Sequence, residues 1–146
     1  MEELANGTFH TILPEIEDLD PAKVTRVILC SGKIYYELLN QRQEDQRDDL
    51  AIVRIEQIYP FPEDDLAEVL AVYTNLRELT WVQEEPLNQG VWYSCNHHMR
   101  NVIDMLDNNI ELTKVARCAA AAPAAGHMQL HVEQQQKVIA LALRTE

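Results

Sequence analysis

The stretch from Leu79 to Trp92 limits the choice of fold more than any other: Leu-Thr-Trp-Val-Gln-Glu-Glu-Pro-Leu-Asn-Gln-Gly-Val-Trp. It opens as an apolar strand, breaks into an amide, two acids and a proline, and gives way to a helix after Gly90. A strand whose carboxyl end runs into polar residues ahead of a helix belongs to an open α/β sheet. That edge is where such sheets place their working groups.

The same alternation runs along the chain. Val24–Cys30 is a strand rich in β-branched residues, and Ser31-Gly32-Lys33 turns the chain into a helix reaching Glu44. Ile34 with Leu38, and Tyr35 with Leu39, form its apolar face. The charged run Glu44–Asp49 is a solvated loop, and Leu50–Ile58 is the second strand, stopped by Pro60. Pro62 suits the first turn of a helix that carries Leu66, Val69, Leu70 and Tyr73 on one side. Leu76–Gln83 is the third strand, and a helix over Val91–Leu106 presents Met99, Val102, Ile103 and Leu106. Thr113–Ala119 is the fourth strand, running into the alanine-rich loop Ala119–Ala122 with Pro123 and Gly126 beyond. The last helix spans Met128–Leu143, with Val138, Leu141 and Ala142 on one face. Strands alternating with helices predict an α/β sandwich with a mainly parallel sheet and helices on both faces. Residues 1–23 read as a lead-in, with Thr8–Leu13 as a short edge strand, and residues 24–146 as the α/β domain. Nothing strong precedes the first core strand, so the chain is expected to be a fragment of something larger.

At 146 residues and 47% hydrophobic, the chain suits one domain with a full core. A net charge of −12 argues against nucleic acid, which needs a surplus of Lys and Arg, and against an anionic membrane surface. No apolar run reaches the roughly 18 residues of a transmembrane helix, and the acidic start Met1-Glu2-Glu3 is no signal peptide. Three cysteines, Cys30, Cys95 and Cys118, make no paired set and read as free buried thiols in a reducing compartment.

Candidate chemistry gathers at the strand ends. Ser31-Gly32-Lys33 is either a plain tight turn or an anion site, since a helix N-terminus offers free N–H groups and positive dipole beside the Lys33 ammonium. Arg54 and Glu56 interrupt a strand that burial on both faces would make continuously apolar. Arg54 therefore needs a carboxylate, such as Glu84 or Glu85, or a ligand. Gln83, Glu84 and Glu85 offer acid–base groups, or bonds to a neighbouring loop or subunit; no nucleophile accompanies them. Cys95, His97 and His98, or His127 with His131, lack the second spaced pair that a structural zinc requires, so no metal is expected. Trp81, Trp92 and Tyr93 flank the acidic turn and are the kind of aromatics favoured at interfaces.

Three separated blocks, Leu79–Trp92, Ser31-Gly32-Lys33-Ile34-Tyr35-Tyr36 and Val53–Pro62, closely resemble the C-terminal domain of 2-oxoglutarate dehydrogenase, the thiamine-diphosphate-dependent decarboxylating component. Gly7-Thr8-Phe9, and Arg117 with Pro123 and Gly126, extend the resemblance over nearly all of residues 7–143. The chain departs from the pattern at Lys114-Val115-Ala116-Arg117, where the family often has Tyr-Ala-Gly-Arg, and at alanines where some relatives carry serine. The resemblance implies a three-layer α/β/α sandwich with a mixed five-stranded sheet, one strand antiparallel, a part for Thr8–Leu13. It implies thiamine diphosphate and magnesium bound by preceding domains, not by this one. Its partners would be a second copy, in a homodimer, and the dihydrolipoyl succinyltransferase that accepts the succinyl group. It also implies an effector site for AMP or acetyl-coenzyme A, formed by Ser31, Gly32 and Lys33, with Arg54 and Gln83 as further donors. The homodimer contact would include Trp81, Glu84, Glu85, Trp92 and Tyr93. The compartment would be bacterial cytoplasm or mitochondrial matrix. Three functions compete: a non-catalytic assembly and regulatory domain, a stand-alone nucleotide-binding module of the same fold, and a small enzyme using Glu84, Glu85 and a histidine.

Overall fold

A computed structural model of the chain describes residues 9–106, 109–122, 126 and 128–144. Its strands are β1 (Ile12–Leu13), β2 (Arg26–Cys30), β3 (Leu50–Ile55), β4 (Glu78–Pro86) and β5 (Glu111–Arg117). Its helices are α1 (Ile34–Glu44), α2 (Glu63–Ala71), α3 (Trp92–Met105) and α4 (Met128–Leu143). The sheet order is β1-β3-β2-β4-β5, with β1 antiparallel to β3 and every other pairing parallel.

Side chains along a strand alternate between faces, so each central strand feeds two cores. Val27, Leu29, Ala51, Val53, Leu79 and Trp81 pack under α2 and α3. Ile28, Cys30, Leu50, Ile52 and Val82 pack under α1 and α4. The result is the three-layer α/β/α sandwich that the resemblance implies. Leu66, Leu70 and Tyr73 face the sheet as their spacing predicts, with Val69 half-buried at the margin.

Several boundaries differ from the sequence-based expectation. The second strand ends at Ile55, not Ile58, because the Thr11 carbonyl accepts from the amides of both Glu56 (2.9 Å) and Gln57 (3.0 Å) and turns the chain. The third strand runs on through Glu84 and Glu85 to Pro86, where an irregular register still leaves Pro86 opposite Arg117. A proline is tolerated at such a break in the ladder. Among described residues the lead-in strand is only Ile12–Leu13, cut by Pro14; Thr8 lies outside them. On α4 the buried positions are Gln135, Val138, Ala142 and Leu143, while Leu141 is exposed on the flank of the helix. Cys30 and Cys95 are buried, but Cys118 is exposed, because it lies just past the end of the edge strand β5. Burial pushes the Cys30 thiol up to about 12.

Past β1, a side chain takes over the work of the backbone. One oxygen of Glu15 accepts from the Ile52 amide of β3 at 2.8 Å and from Arg42 of α1, and the other accepts from Arg42 Nη2 and the Glu17 amide, both at 2.9 Å. Arg42 is buried, donates to the Leu50 carbonyl (3.1 Å) and pairs with Glu17 (2.9 Å). Burial alone would raise the Glu15 pKa. The Arg42 guanidinium and the Ile52 and Glu17 amides outweigh it and hold the carboxyl below its ordinary 4.5.

Two outcomes are expected. Leu70→Ala destabilises by roughly 2–5 kcal/mol in denaturant unfolding, as buried large-to-small changes do. Glu15→Gln at neutral pH costs about 3 kcal/mol, because a buried guanidinium loses its main counter-charge. A carboxyl whose folded pKa is depressed contributes its stability above the unfolded value and loses it as pH falls through the folded one. The gap between wild type and Glu15→Gln in urea titrations is therefore full at pH 7 and closes below pH 4.5.

Candidate functional site: the carboxyl edge of the sheet

β2 and β3 end within one residue of each other, with Cys30 opposite Arg54, whereas β4, level with Cys30 at Val82, runs on to Pro86. The loops after them carry the residues singled out in the sequence. Gly32 takes φ +75°, a left-handed conformation open to glycine at little cost, and so turns β2 sharply into α1. The amides of Tyr35 and Tyr36 close back on the carbonyls of Gly32 (3.4 Å) and Lys33 (3.1 Å). These two amides are therefore already committed within the turn.

The two-residue period sorts the remaining candidates onto opposite faces. Glu84 lies on the α1/α4 side, where its Oε1 stands 3.4 Å from Lys33 Nζ and accepts from Gln135 Nε2 at 2.7 Å. Gln135 also donates to Glu37 (3.2 Å) and accepts from Arg117 Nη2 (2.8 Å), which lies 3.3 Å from His131 Nδ1. Arg54 is on the same side. It pairs with Glu56 (2.5 Å), not with Glu84 or Glu85, because its strand neighbour is nearer than the next strand but one. It also donates to the Tyr36 hydroxyl (3.0 Å) and lies over the rings of Tyr35 and Tyr36. Lys33, Arg54 and Arg117 thus share one face with Glu84, Glu37 and Glu56. The Lys33 side chain is 68% exposed, so its ammonium is the one most open to an incoming anion.

Gln83 points the other way, and the structure separates it from Lys33 and Arg54. Its Oε1 accepts from Trp81 Nε1 (3.0 Å) and the Trp92 amide (3.3 Å); its Nε2 donates to the carbonyls of Pro86 (3.1 Å) and Glu85 (3.3 Å). Both ends of the amide are committed to holding the β4–α3 connection, so Gln83 is a brace for this loop. Its nearest clue in the sequence is Gly90: a Cβ there would meet Gln83 Nε2 at 2.1 Å. Trp81 and Trp92 belong to the interior, at 1% and 6% exposure, with Lys114 over the Trp92 ring. Of the expected interface residues, Glu85 and Tyr93 are exposed, and Asn88 and Gln89 of the turn are exposed beside them.

Among the described residues, Cys95, His97 and His98 gain no donor set. His98 is bonded to Glu63, which this contact holds below its usual range, and its ring stacks on Phe61 at 5.2 Å. His127 lies outside the described residues. Among the described residues, no three His, Cys, Asp or Glu side chains converge as a metal site. Beside Arg117, between Pro86, Cys118, Leu130, Lys137 and Leu141, runs a largely apolar groove of about 580 Å³.

Gly90→Ala is expected to destabilise the domain by about 1–3 kcal/mol, the usual cost of overpacking. In a Gln83→Ala background the same change costs clearly less, because the clash is with that side chain. A thermal-unfolding double-mutant cycle measures the coupling.

Residues 1–143 match the protein family described as 2-oxoglutarate dehydrogenase C-terminal. The 2-oxoglutarate dehydrogenase E1 component of Azotobacter vinelandii is 55% identical over 139 residues, which cover 95% of this chain and 15% of that protein. The E1 component of Haemophilus influenzae is 46% identical over 143 residues, covering 98% and 15%. That of Coxiella burnetii is 46% identical over 145 residues, with the same shares. The chain spans about 15% of the length of these relatives. A match over almost every residue, with identity near one half, places this chain in the 2-oxoglutarate dehydrogenase C-terminal family.

Proposed function

We propose that the chain is the assembly and regulatory domain of a 2-oxoglutarate dehydrogenase E1 component and does no chemistry of its own. The whole protein would decarboxylate 2-oxoglutarate, with thiamine diphosphate and magnesium held by other domains. It would pass the succinyl group to the lipoyl arm of the dihydrolipoyl succinyltransferase. It would act as a homodimer in the bacterial cytoplasm, with the surface from Glu84 and Glu85 to Tyr93 at the dimer contact and Trp81 and Trp92 supporting it from beneath. No described helix is long and apolar enough to cross a membrane.

The observation that carries the regulatory part is Lys33 beside the Gly32 turn, with Arg54 on the same face. A phosphate of AMP or acetyl-coenzyme A would take over from Glu84 as counter-ion of Lys33 and gain the Ser31 hydroxyl and the helix N–H groups. Glu84 would keep its bond from Gln135. Arg54 would approach through its Tyr36 contact, and Gln83 would act only by bracing the neighbouring loop. The stand-alone module remains the second reading, and the length of the natural gene separates the two: a gene encoding these residues alone overturns the first.

In the full-length enzyme, Lys33→Ala should raise the effector concentration for half-activation roughly tenfold, about 1.4 kcal/mol, and leave turnover without effector intact. Steady-state assays with AMP and acetyl-coenzyme A read this directly. Unchanged activation would refute the site, and loss of basal turnover would make the turn structural.

A further inference from the structure

The groove beside Arg117 has walls of one chemical kind and charges of one sign. Leu130, Val138 and Leu141 stand at helical spacing on α4 and form an aliphatic stripe about 16 Å long. Pro86 and the alanines past β5 make up the rest of the apolar lining. Among the described residues, no aromatic ring and no Asp or Glu lines the groove. Its volume of about 580 Å³ is that of a small-molecule site, and such sites are likewise mostly apolar with a few placed polar groups. The charges run against the rest of the chain, where acids outnumber bases by 24 to 12. Arg26, Arg42, Arg47 and Arg54 each meet a carboxylate. Arg117 and Lys137, both on the groove, do not: among the described residues neither has an acid within 4.0 Å. Arg117 is half-buried, and its Nη2 meets only an amide oxygen (Gln135 Oε1, 2.8 Å) and an imidazole nitrogen (His131 Nδ1, 3.3 Å). Its Nε is buried with no partner among the described residues. A guanidinium drawn out of water without a counter-charge is costly, and an anion relieves it.

We propose that this groove binds a small aliphatic carboxylate, with its alkyl chain along Leu130, Val138 and Leu141 and its head group toward Arg117 and Lys137. Each part of the lining selects for one part of the ligand. Aliphatic walls without a ring to stack on suit an alkyl chain and not a nucleotide base. The chain leaves water for those walls, which supplies the apolar part of the affinity. Two cations with no acid between them suit an anionic head, and a planar guanidinium matches a carboxylate in particular. Lys33 is not among the lining residues, so the site is separate from the effector site above and does not rest on it.

The test uses the full-length enzyme, with decanoate as the probe. Cys118 is exposed on the groove wall, so the rate of its alkylation by iodoacetamide, followed by peptide mass spectrometry, reads occupancy. Decanoate should slow that alkylation saturably, and decanol, with the same chain and no charge, should protect far less. Lys137 and Leu141 are exposed, so substitutions there leave the core intact. Lys137→Glu should raise the half-protecting concentration of decanoate roughly tenfold, about 1.4 kcal/mol. Leu141→Gln should weaken protection in the same direction. Lys33→Ala should leave it unchanged, so this proposal and the effector site can fail separately. No saturable protection would overturn the inference, as would equal protection by decanol or in Lys137→Glu. A Cys118 already unreactive without decanoate would overturn it too, and would assign the groove to another part of the enzyme or to the second copy.

Discussion

Burial of both faces of the sheet imposes a two-residue rule on everything at its carboxyl edge. In β4, Leu79 and Trp81 belong to the core under α2 and α3, and Val82 to the core under α1 and α4. The strand keeps that alternation as it leaves the hydrophobic interior. Gln83 is therefore delivered to the aromatic side and Glu84 to the charged side, although they are neighbours in sequence. One becomes a brace between Trp81, Trp92 and the Pro86 carbonyl, and the other a counter-ion for Lys33. A one-residue slip would exchange them, which would put a carboxylate among indoles and an amide beside the ammonium.

The opposite flank is governed by Glu15. Strand pairing along the outer edge of β3 lasts only two residues, and beyond it the Ile52 amide is satisfied by a carboxylate. That carboxylate is in turn neutralised by Arg42, which a helix brings in from one face of the sheet. An outer strand is thus finished by a side chain, and its remaining amide is closed to pairing with a stranger. Helix, strand and lead-in meet in one buried charge pair. The path of the chain into the domain is fixed there before it reaches the first core strand.

Much of this was open to reading in the sequence. Helical spacing in Leu66, Leu70 and Tyr73 and in Met99, Val102 and Ile103 gave the buried faces, and the order of strands and helices gave the layers. The antiparallel place of the lead-in came from the family resemblance and not from its residues. What escaped depends on partners distant in sequence. Glu15 sits in an acidic run, and nothing local marks it and Glu17 as the members that meet Arg42, 27 residues beyond Glu15. Leu141 fits the helical period as well as Ala142 does, yet only the latter faces the sheet, because α4 packs through Gln135, Val138 and Ala142. Gln83 looked like a free donor because its bonds run to Trp92 and Pro86, across a loop whose closure spacing does not show. Alternation along the strand and the lone Gly90 were the available hints.

The uneven burial of the three thiols has a practical side. Cys30 and Cys95 are shut inside the two layers of core, whereas Cys118 stands in the open beside Arg117, on the wall of the groove against α4. A maleimide dye would therefore react at one place within this domain under native conditions, with no cysteine needing to be engineered or removed here. Arg117 is bonded to Gln135, and Gln135 to Glu84, which faces Lys33. Fluorescence from that single label would report, through three side chains, on whatever takes the place of Glu84 at the ammonium.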